Sequence, residues 1–505
     1  MSRAREVSKV ISTVENLDAV AYSSASPSSA EVGDLWVDTS TANPLIKAYD
    51  GTAWDTLGSA PLPIITGIAP DNIAGSASTA VIINGSNFES GSIVKLVNTS
   101  NTELFTLSTT FNNSRSLQFL TPALTASAGP YDIKVTNPDN QISILENSLN
   151  VGTTPVWVTA AGSLGNIFDI ERSTKTFTLS ATDADSNSLN YSIISGNLPT
   201  NMTLTSGGTI QGTAVGVASD TTYAFTVRVS DGVNFSNRDF SITTKAPVIQ
   251  SFTSTGTTNW TCPSGVTKVR ALVIAGGGGG GADRSAGGGA GGMVDHPSFT
   301  VIPGTNYSVT VGTGGGGGTG VGAGSTGVDS VFSSLTAKGG GGGGTGYASA
   351  TSGGSGGGGG WTTTYQNGGQ ATQGSQSGDS GTYGYGFAGA NGGNNINAGG
   401  GGAGGAGSTA GSNQRPSGGI GRVSDITGSS IYYAGGGGGG AAMDGNPLYY
   451  LQGLGGQGGG GNGGGTNSQV GFAGTANTGG GGGGGANINA ANGGSGGSGI
   501  VIVRY

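Results

Sequence analysis

Glycine is concentrated in the second half of this chain, where it forms uninterrupted blocks of similar length. Examples lie at 276–281, 339–344, 435–440 and 479–485. Glycine loses more conformational freedom on ordering than any other residue, and glycine-rich stretches are commonly flexible linkers. These blocks, however, alternate with short polar or aromatic inserts, and the chain ends in a strand-like run at 500–505. This layout favours an ordered domain over a flexible tail.

We predict that the glycine blocks pack as extended segments similar to polyproline II. Such segments repeat every three residues and make no internal hydrogen bonds, so their N–H and C=O groups are free to pair between segments. Without Cβ atoms the backbones can approach closely, and many such pairs offset the cost of ordering glycine. Because apolar strand patterns at 266–275 and 500–503 enclose the blocks, we predict a β-framed glycine-rich domain over 248–505.

Residues 1–25 carry a helical pattern. Their apolar side chains recur at helical spacing, opposite a charged face; they are Val7, Val10, Ile11 and Val14. A single short helix cannot bury such a stripe by itself. We therefore expect these residues to attach the chain to a partner protein or to a second copy, the alternative being a helix packed on its own chain.

Residues 30–246 are predicted to form β-structure. At 30–60, apolar and polar residues alternate around Asp50 and Gly51, which is a strong hairpin signal. Residues 63–151 and 153–246 contain short β-rich runs separated by Gly, Pro and Asn, as β-sandwiches require. The predicted fold class is therefore all-β: a short amino-terminal helix, a small hairpin module, two tandem Ig-like sandwiches and the glycine-rich domain.

Three aspartates in the second sandwich have two interpretations. Asp183, Asp185 and Asp231 could supply the oxygen ligands that calcium prefers. Asp residues in Asp-x-Asp and Asp-Gly sequences more often stabilise turns. We therefore predict no metal site, with calcium occupancy left open.

Composition argues against several classes of function. The net charge is −8 with no basic cluster, whereas nucleic-acid binding needs clustered cations. Cys262 is the only cysteine and His296 the only histidine, so an intrachain disulfide is impossible and a histidine relay would have to use His296. No apolar run is long enough to insert into a membrane. We predict no catalytic activity and no cofactor.

Aromatic side chains lie in the inserts between glycine blocks. Exposed Tyr and Trp provide large contact areas at low entropy cost, and flat rings beside Asn and Gln suit sugars. The alternative is that the rings pack internally against the glycine array. The predicted receptor-binding residues are Trp361, Tyr365, Tyr383, Tyr385, Phe387, Tyr432, Tyr433, Tyr449 and Tyr450.

Several segments resemble known families. Residues 63–151 resemble the IPT/TIG Ig-like domain through motifs at 68–70, 81–88, 121–123 and 129–137. Residues 153–246 are similar to the cadherin-like Ig domains of surface proteins through motifs at 181–185, 196–199, 208–213 and 223–232. The carboxyl-terminal half resembles the glycine-rich domain of phage fibre proteins through motifs at 263–269, 272–276, 307–312 and 496–503.

The start of the chain, together with the motifs of the 30–60 module, also resembles phage tail fibres. These resemblances imply a virion protein of a tail or fibre appendage. Its amino-terminal region would attach to other virion proteins, and its aromatic inserts would bind a host surface glycan or an outer-membrane protein. The absence of an apolar signal region behind the first residues agrees with this expectation. The alternative is a structural fibre, whisker, neck or capsid-decoration protein, and the oligomeric state stays open between trimer and monomer.

Overall fold

The computed structural model describes most of the chain and shows an all-β protein. It describes residues 20–32, 34–40, 45–49, 51–56, 61–75, 78–124, 130–361, 365–393, 396–411, 414–441, 451–465, 470–486 and 491–505. The predicted attachment residues of the amino-terminal helix, Val7, Val10, Ile11 and Val14, lie outside these ranges.

The first module is a four-stranded sheet in the order β1–β2–β3–β4. Its strands are β1 (Val20–Ser23), β2 (Leu35–Asp38), β3 (Leu45–Tyr49) and β4 (Trp54–Thr56). Strand β1 pairs in parallel with β2, and the other pairs are antiparallel. Residues 20–23 fall within the range 1–25 that was predicted to be helical. They form a strand instead, because their backbone pairs with β2.

Asp38, at the end of β2, provides a test of this module. Its Oδ2 lies 2.8 Å from Lys47 Nζ, and its Oδ1 accepts a hydrogen bond of 2.9 Å from the Ser40 N–H. These contacts, that with Lys47 first, lower the pKa of Asp38 from its ordinary value of 3.8 to about 2. The charged Asp38 carboxylate therefore stabilises the folded state at a pH above its ordinary pKa, and this stabilisation is lost as the pH falls through about 2.

We expect the substitution Lys47→Met to raise the pKa of Asp38 towards its ordinary value, because it removes the main stabilising partner of the carboxylate. The measurement is an NMR pH titration of the Asp38 carboxyl carbon. Glu103, whose pKa is lowered by Lys95 and Lys134 in a separate domain, is the internal control and should not change. An Asp38 pKa unaffected by Lys47→Met would contradict this account.

The next domain is a β-sandwich of two sheets, in the orders β10–β11–β7–β5 and β6–β13–β12–β8–β9. Alternate residues of β7 face inward, so that Val81 and Ile83 are buried beside Leu117, Ile133 and Leu149. The strands are β5 (Ile64–Ala69), β6 (Asn72–Ala74), β7 (Ala80–Ser86), β8 (Ile93–Val97), β9 (Glu103–Leu107), β10 (Thr109–Asn113), β11 (Ser116–Leu120), β12 (Tyr131–Thr136) and β13 (Ile142–Gly152).

The second sandwich packs the sheet β15–β22–β21–β18 against β16–β20–β19, with the pair β14–β17 beside them. Trp157 lies in its core, 5.3 Å from the ring of Phe240. A 3-10 helix at Asp169–Glu171 follows β15. The strands are β14 (Val156–Trp157), β15 (Gly162–Ile167), β16 (Phe177–Thr178), β17 (Ala181–Thr182), β18 (Asn190–Gly196), β19 (Met202–Leu204), β20 (Thr209–Gly212), β21 (Thr221–Ser230) and β22 (Phe235–Thr244).

The glycine-rich domain is framed by two sheets, in the orders β23–β33–β25–β26–β30 and β24–β27–β28–β29, and by the hairpin β31–β32. The last strand of the chain lies between β23 and β25, so the two ends of the domain share one sheet. A four-residue helix, α1 (Asp379–Thr382), packs nearby. The strands are β23 (Ile249–Phe252), β24 (Gly256–Thr261), β25 (Lys268–Ile274), β26 (Met293–Thr300), β27 (Asn306–Val311), β28 (Ser330–Phe332), β29 (Leu335–Ala337), β30 (Gly384–Tyr385), β31 (Arg422–Ser424), β32 (Ile431–Tyr433) and β33 (Ile500–Arg504).

The glycine blocks form a packed array whose hydrogen bonds repeat every three residues. In the segment 276–281, three successive N–H groups donate to three different neighbouring segments, and the next three repeat this order. The accepting segments lie around 325–328, 494–497 and 286–289. The carbonyl groups accept, in the same repeating order, from the N–H groups of three other segments, at 340–343, 315–318 and 482–485. Three residues per turn is the period of polyproline II. This segment therefore has six neighbours, and the predicted packed array is confirmed.

Glycine is required in this array because the segments touch through their backbones. A Cβ atom built on Gly277 would lie 2.1 Å from Gly480 O, and one on Gly278 would lie 2.1 Å from Gly341 O. Both distances are far below van der Waals contact, and the clashing atoms are backbone atoms that cannot rotate away. The residue type is therefore dictated by distance between segments, not by local turn geometry.

The second sandwich is joined tightly to the glycine-rich domain. Phe168 is buried in the hydrophobic cluster of that domain beside Trp260 and Val266. Asp169 Oδ2 accepts a hydrogen bond of 2.6 Å from Arg504 Nε. We call these residues the junction. It lies at the end of β33 away from the glycine array.

Candidate binding surface

The glycine array has two ends. One adjoins the five-stranded sheet, because segment 276–281 directly follows β25 and segment 286–292 leads into β26. At the other end, Gly281 lies beside Gly344 and accepts a hydrogen bond from the Gly485 N–H. We call this end the distal face. Its described residues are 282–285, 319–322, 345–350, 361, 365–367, 391–393, 396–397, 410–411, 414–415, 451–452 and 491–492.

Hydrogen bonds connect the turns of the distal face to one another. The Ala282 N–H donates to Gly322 O at 3.0 Å. Thr345 Oγ1 donates to Val321 O, also at 3.0 Å. These bonds join turns that are distant in sequence, so three turns of the distal face are tied to one another as well as to the array below them.

Trp361 is held between two of these turns. Its backbone N–H donates to Arg284 O at 3.2 Å. The Arg284 guanidinium lies 4.4 Å from the centre of the indole ring, a cation–π contact. The ring also lies beside Gly346, where a Cβ would be 3.9 Å from Trp361 Cε3. Trp361 is therefore a half-buried, oriented member of the distal face.

Two tyrosines of the distal face project into solvent. Tyr365 is 76% exposed and Tyr347 is 67% exposed. Tyr365 was predicted as a binding residue, whereas Tyr347 was not. The signal for Tyr347 was present, because it is the aromatic residue of the insert between the blocks at 339–344 and 356–360.

Four other predicted binding residues lie at the sheet end of the array. Tyr383 packs on His296, with ring centres 4.4 Å apart, and Tyr385 lies in β30 under the Arg422 guanidinium, 3.6 Å from its ring centre. Phe387 and Tyr432 are at least partly exposed beside the same sheet region. The structure thus separates the predicted aromatic set into two groups at opposite ends. Tyr449 and Tyr450 lie outside the described residues.

Tyr433 was predicted as a receptor-binding residue and is instead a core residue. Only 5% of it is exposed, and it packs with Leu272, Met293 and Ile502. Burial raises the pKa of its hydroxyl. It faces inward because neighbouring residues of a strand point to opposite sides, and β32 directs Tyr432 partly to solvent and Tyr433 to the cluster. Its side chain is therefore not available to a receptor.

The histidine and the cysteine both lie in packed surroundings. His296 is 6% exposed, with Nε2 3.3 Å from Asp379 Oδ2, and its Nδ1 accepts a hydrogen bond from the Ser298 N–H. Burial raises the pKa of the Cys262 thiol, which disfavours the reactive thiolate. Within the described ranges, no group of three or more His, Cys, Asp and Glu side chains could hold a metal ion. In the same ranges no helix is long and apolar enough to cross a membrane.

The three aspartates of the second sandwich participate in turns. Asp183 Oδ1 accepts a hydrogen bond of 3.0 Å from the Asp185 N–H, and Asp185 Oδ2 accepts one of 2.8 Å from Thr153 Oγ1. Asp231 Oδ1 accepts a bond of 2.7 Å from the Val233 N–H. Asp183 and Asp231 thus stabilise turns, whereas the carboxylate of Asp185 contacts Thr153, a residue distant in sequence.

Comparisons with protein families match three regions of the chain. The family model described as "Glycine-rich domain" matches residues 253–505. The family model described as "Putative Ig domain" matches residues 158–246, and that described as "IPT/TIG domain" matches residues 63–159. The three resemblances found in the sequence are thereby confirmed at the level of domain family. Ig-like and IPT/TIG domains are typically binding or structural modules, which indicates a protein of the adhesion or surface-binding type.

Solved structures that resemble parts of the chain include proteins with immunoglobulin domains. An I-band fragment of titin has 9% sequence identity and a TM-score of 0.26, covering 42% of this chain and 84% of the fragment. Immunoglobulin domains 1 to 5 of Sidekick-1 have 11% identity and a TM-score of 0.24, covering 45% of this chain and 54% of that one. Curated protein sequences contain no match to the chain.

Proposed function

The chain belongs to the glycine-rich domain family, and we propose that it is an adhesive protein of a virion appendage, which contacts a host cell surface through the distal face. The amino-terminal region would attach to other virion proteins, and the two Ig-like sandwiches would act as spacers. The virion assignment is supported by the resemblance of the 30–60 module and the glycine-rich domain to phage fibres.

The position of the distal face is the observation that carries this proposal. The junction with the second sandwich lies at one end of the glycine-rich domain, and the distal face lies at the other. The intervening array is held by hydrogen bonds between many segments, so the turns at its far end are displayed on a rigid support. Recognition residues are commonly displayed on loops that a rigid scaffold positions.

The side chains of the distal face suit contact with another surface. Tyr347 and Tyr365 are largely exposed, in a domain that is otherwise poor in large side chains. Such rings provide contact area at little entropic cost. Exposed aromatic residues are also over-represented among residues that dominate binding energy.

We expect the full-length protein to bind intact host cells saturably, and the double variant Tyr347→Ser/Tyr365→Ser to bind roughly tenfold more weakly or worse. The measurement is a titration of fluorescently labelled protein on phage-sensitive cells, with circular dichroism to establish that each variant is folded. Phe235→Ser is the control, because Phe235 is an aromatic residue of the second sandwich and is 50% exposed. It should bind like the unchanged protein.

Two outcomes would count against the proposal. Equal binding by the unchanged protein and the folded double variant would remove the distal face as the contact surface. An absence of binding to every sensitive host, together with antibody labelling at a collar or capsid junction, would favour a structural virion protein instead.

A further inference from the structure

We infer that the distal face binds a neutral saccharide, which stacks on the ring of Tyr365 and hydrogen-bonds to the hydroxyl of that tyrosine and to Asn391. This rests on the proposed function and adds the chemical class of the ligand and its place of binding. We use the name saccharide site for Tyr365, Gln366, Asn391 and Thr409.

The ring of Tyr365 is presented to solvent in a fixed position. Its hydroxyl accepts a hydrogen bond of 3.2 Å from Asn391 Nδ2, while the residue as a whole is 76% exposed. The hydrogen bond holds the edge of the ring and leaves most of the side chain uncovered. Sugar rings have an apolar face of C–H groups, which packs on a flat aromatic surface such as this one.

The polar groups beside the ring retain hydrogen-bonding capacity. Asn391 Oδ1 accepts a bond of 2.9 Å from the Gly368 N–H, and one hydrogen of Nδ2 is donated to Tyr365. A primary amide carries two such hydrogens, and a tyrosine hydroxyl can both donate and accept. Among the residues that the structure describes, neither the second amide hydrogen of Asn391 nor the hydroxyl hydrogen of Tyr365 has a partner, so these are the groups with which the site would bind sugar hydroxyls.

The backbone around the saccharide site is already ordered. The Gln366 N–H donates to Gly392 O at 3.0 Å, and the Gly392 N–H donates back to Gln366 O at 2.8 Å. Gln366 Oε1 accepts a bond of 2.7 Å from the Gly360 N–H, and Thr409 Oγ1 donates to Asn391 O at 2.9 Å. A preorganised site avoids the entropic cost of ordering loops on binding, which matters for a ligand as small as a sugar.

Charge indicates a neutral ligand. Among the described residues of the distal face, the charged ones are Asp283, Arg284 and Arg415. The Arg284 guanidinium lies over Trp361, and Arg415 Nη1 donates to Gln452 O at 2.9 Å. An acidic polymer would need clustered cations available to it. Both described guanidinium groups of this face instead have partners within the protein.

The chemistry of this site also separates a sugar from a protein ligand. Protein interfaces have an apolar centre, and the exposed aliphatic side chains of the distal face, such as Val321 and Leu451, belong to other turns. The saccharide site itself combines one aromatic ring with amide and hydroxyl groups. This combination matches a ligand that offers one apolar face surrounded by hydroxyls.

The test is the binding of the full-length protein to an array of neutral saccharides and of acidic saccharides bearing carboxylate, sulfate or phosphate. We expect binding to neutral members, with less than twofold change in affinity between about 50 and about 500 mM NaCl, because no ion pair would be screened. Tyr365→Ser should weaken binding roughly tenfold or more, and Tyr365→Phe should weaken it less, because the ring remains while the hydroxyl is lost. Phe235→Ser, in the second sandwich, should leave it unchanged.

Binding confined to acidic saccharides, or binding to neutral ones that Tyr365→Ser leaves intact, would overturn the inference. Binding assays on treated host cells distinguish failure of the saccharide inference from failure of the proposed function. Loss of cell binding after periodate oxidation of surface sugars supports a saccharide ligand. Loss of binding only after protease treatment indicates a protein receptor. That second result would overturn the saccharide inference, but the proposed adhesive function would stand. If the unchanged protein binds no host cell before either treatment, the proposed function itself fails.

Discussion

Replacing Gly278 with alanine is expected to destabilise the glycine-rich domain by about 3 kcal/mol or more. The new Cβ would lie 2.1 Å from Gly341 O. Gly278 cannot shift away, because its N–H donates to Gly289 O and its carbonyl accepts from the Gly482 N–H. Relief of the clash must therefore break hydrogen bonds on at least one side. A loss of this size is a large fraction of the stability of most domains.

The matched control is Gly316→Ala in the same array. A Cβ on Gly316 would have no atom within 4 Å, so the substitution introduces no clash. We expect the free energy of unfolding to change by less than about 1 kcal/mol. The change should be stabilising to the extent that Ala gives the unfolded chain less conformational freedom than Gly. The comparison thus separates packing from the general effect of removing a glycine.

Thermal unfolding of the full-length variants, followed by calorimetry, measures both changes. Gly278→Ala should lower the transition temperature of the glycine-rich domain or abolish that transition, and Gly316→Ala should leave it in place. Similar small effects for the two variants would mean that the segments are not in backbone contact.

The second large effect is expected at the junction. Phe168 belongs to the second sandwich, yet it is buried in the cluster that contains Trp260 and Val266. A Cβ on Gly265 would lie 3.3 Å from Phe168 Cε2, so the ring lies close to the backbone at Gly265 as well. Phe168→Ala should cost about 3 to 5 kcal/mol, because it removes a buried ring and leaves a cavity between two domains.

We expect this substitution to uncouple the second sandwich from the glycine-rich domain. Calorimetry should then resolve separate transitions for the two, and protease should cleave near residues 245–248. Phe235→Ala is the control, because Phe235 lies in the same sandwich and is 50% exposed. It loses mainly the contact with Arg228, whose guanidinium lies 3.9 Å from its ring centre, worth about 1 kcal/mol or less. Unchanged coupling in Phe168→Ala would contradict a packed junction.

Asp169 strengthens the same junction electrostatically. It forms ion pairs with Arg172 and, at 2.6 Å, with Arg504. Because Arg504 lies at the end of the last strand, this contact ties the carboxyl terminus of the glycine-rich domain to the preceding sandwich. An experiment on the glycine-rich domain alone would remove Asp169, the carboxylate partner of Arg504, and would also remove Phe168 from the hydrophobic cluster. The full-length chain is therefore the proper material for binding studies.

Local sequence patterns predicted much of the fold because the side-chain period of a strand is visible in a few consecutive residues. Alternating apolar residues such as Val81 and Ile83 face the core of a sandwich, and this alternation is visible without knowledge of partners. The packed glycine array could be predicted for a related reason. A residue without Cβ allows close backbone approach wherever it occurs, so regular blocks of it indicate segments that touch.

The local sequence of an aromatic insert does not show whether the insert lies at the sheet end or at the distal end of the array. Each segment carries the chain from one end to the other, so the position of an insert depends on how many segments precede it. Several segments contain Ala, Ser or Phe, as at 387–391 and 405–410, and they are not recognisable as members of the array. Tyr365 and Tyr385 therefore appear equivalent in sequence, although one is distal and the other lies beside the sheet.

The sequence by itself determined the all-β class, the families of its three large domains and the need for glycine in the array. These properties depend on side-chain patterns and on the absence of Cβ, which every residue carries with it. The tertiary structure alone decided which six segments surround 276–281, that Phe168 belongs to a neighbouring core, and that Tyr365 is exposed while Tyr433 is buried. These outcomes depend on contacts between residues far apart in the chain, and no local pattern specifies which distant segment will be the neighbour.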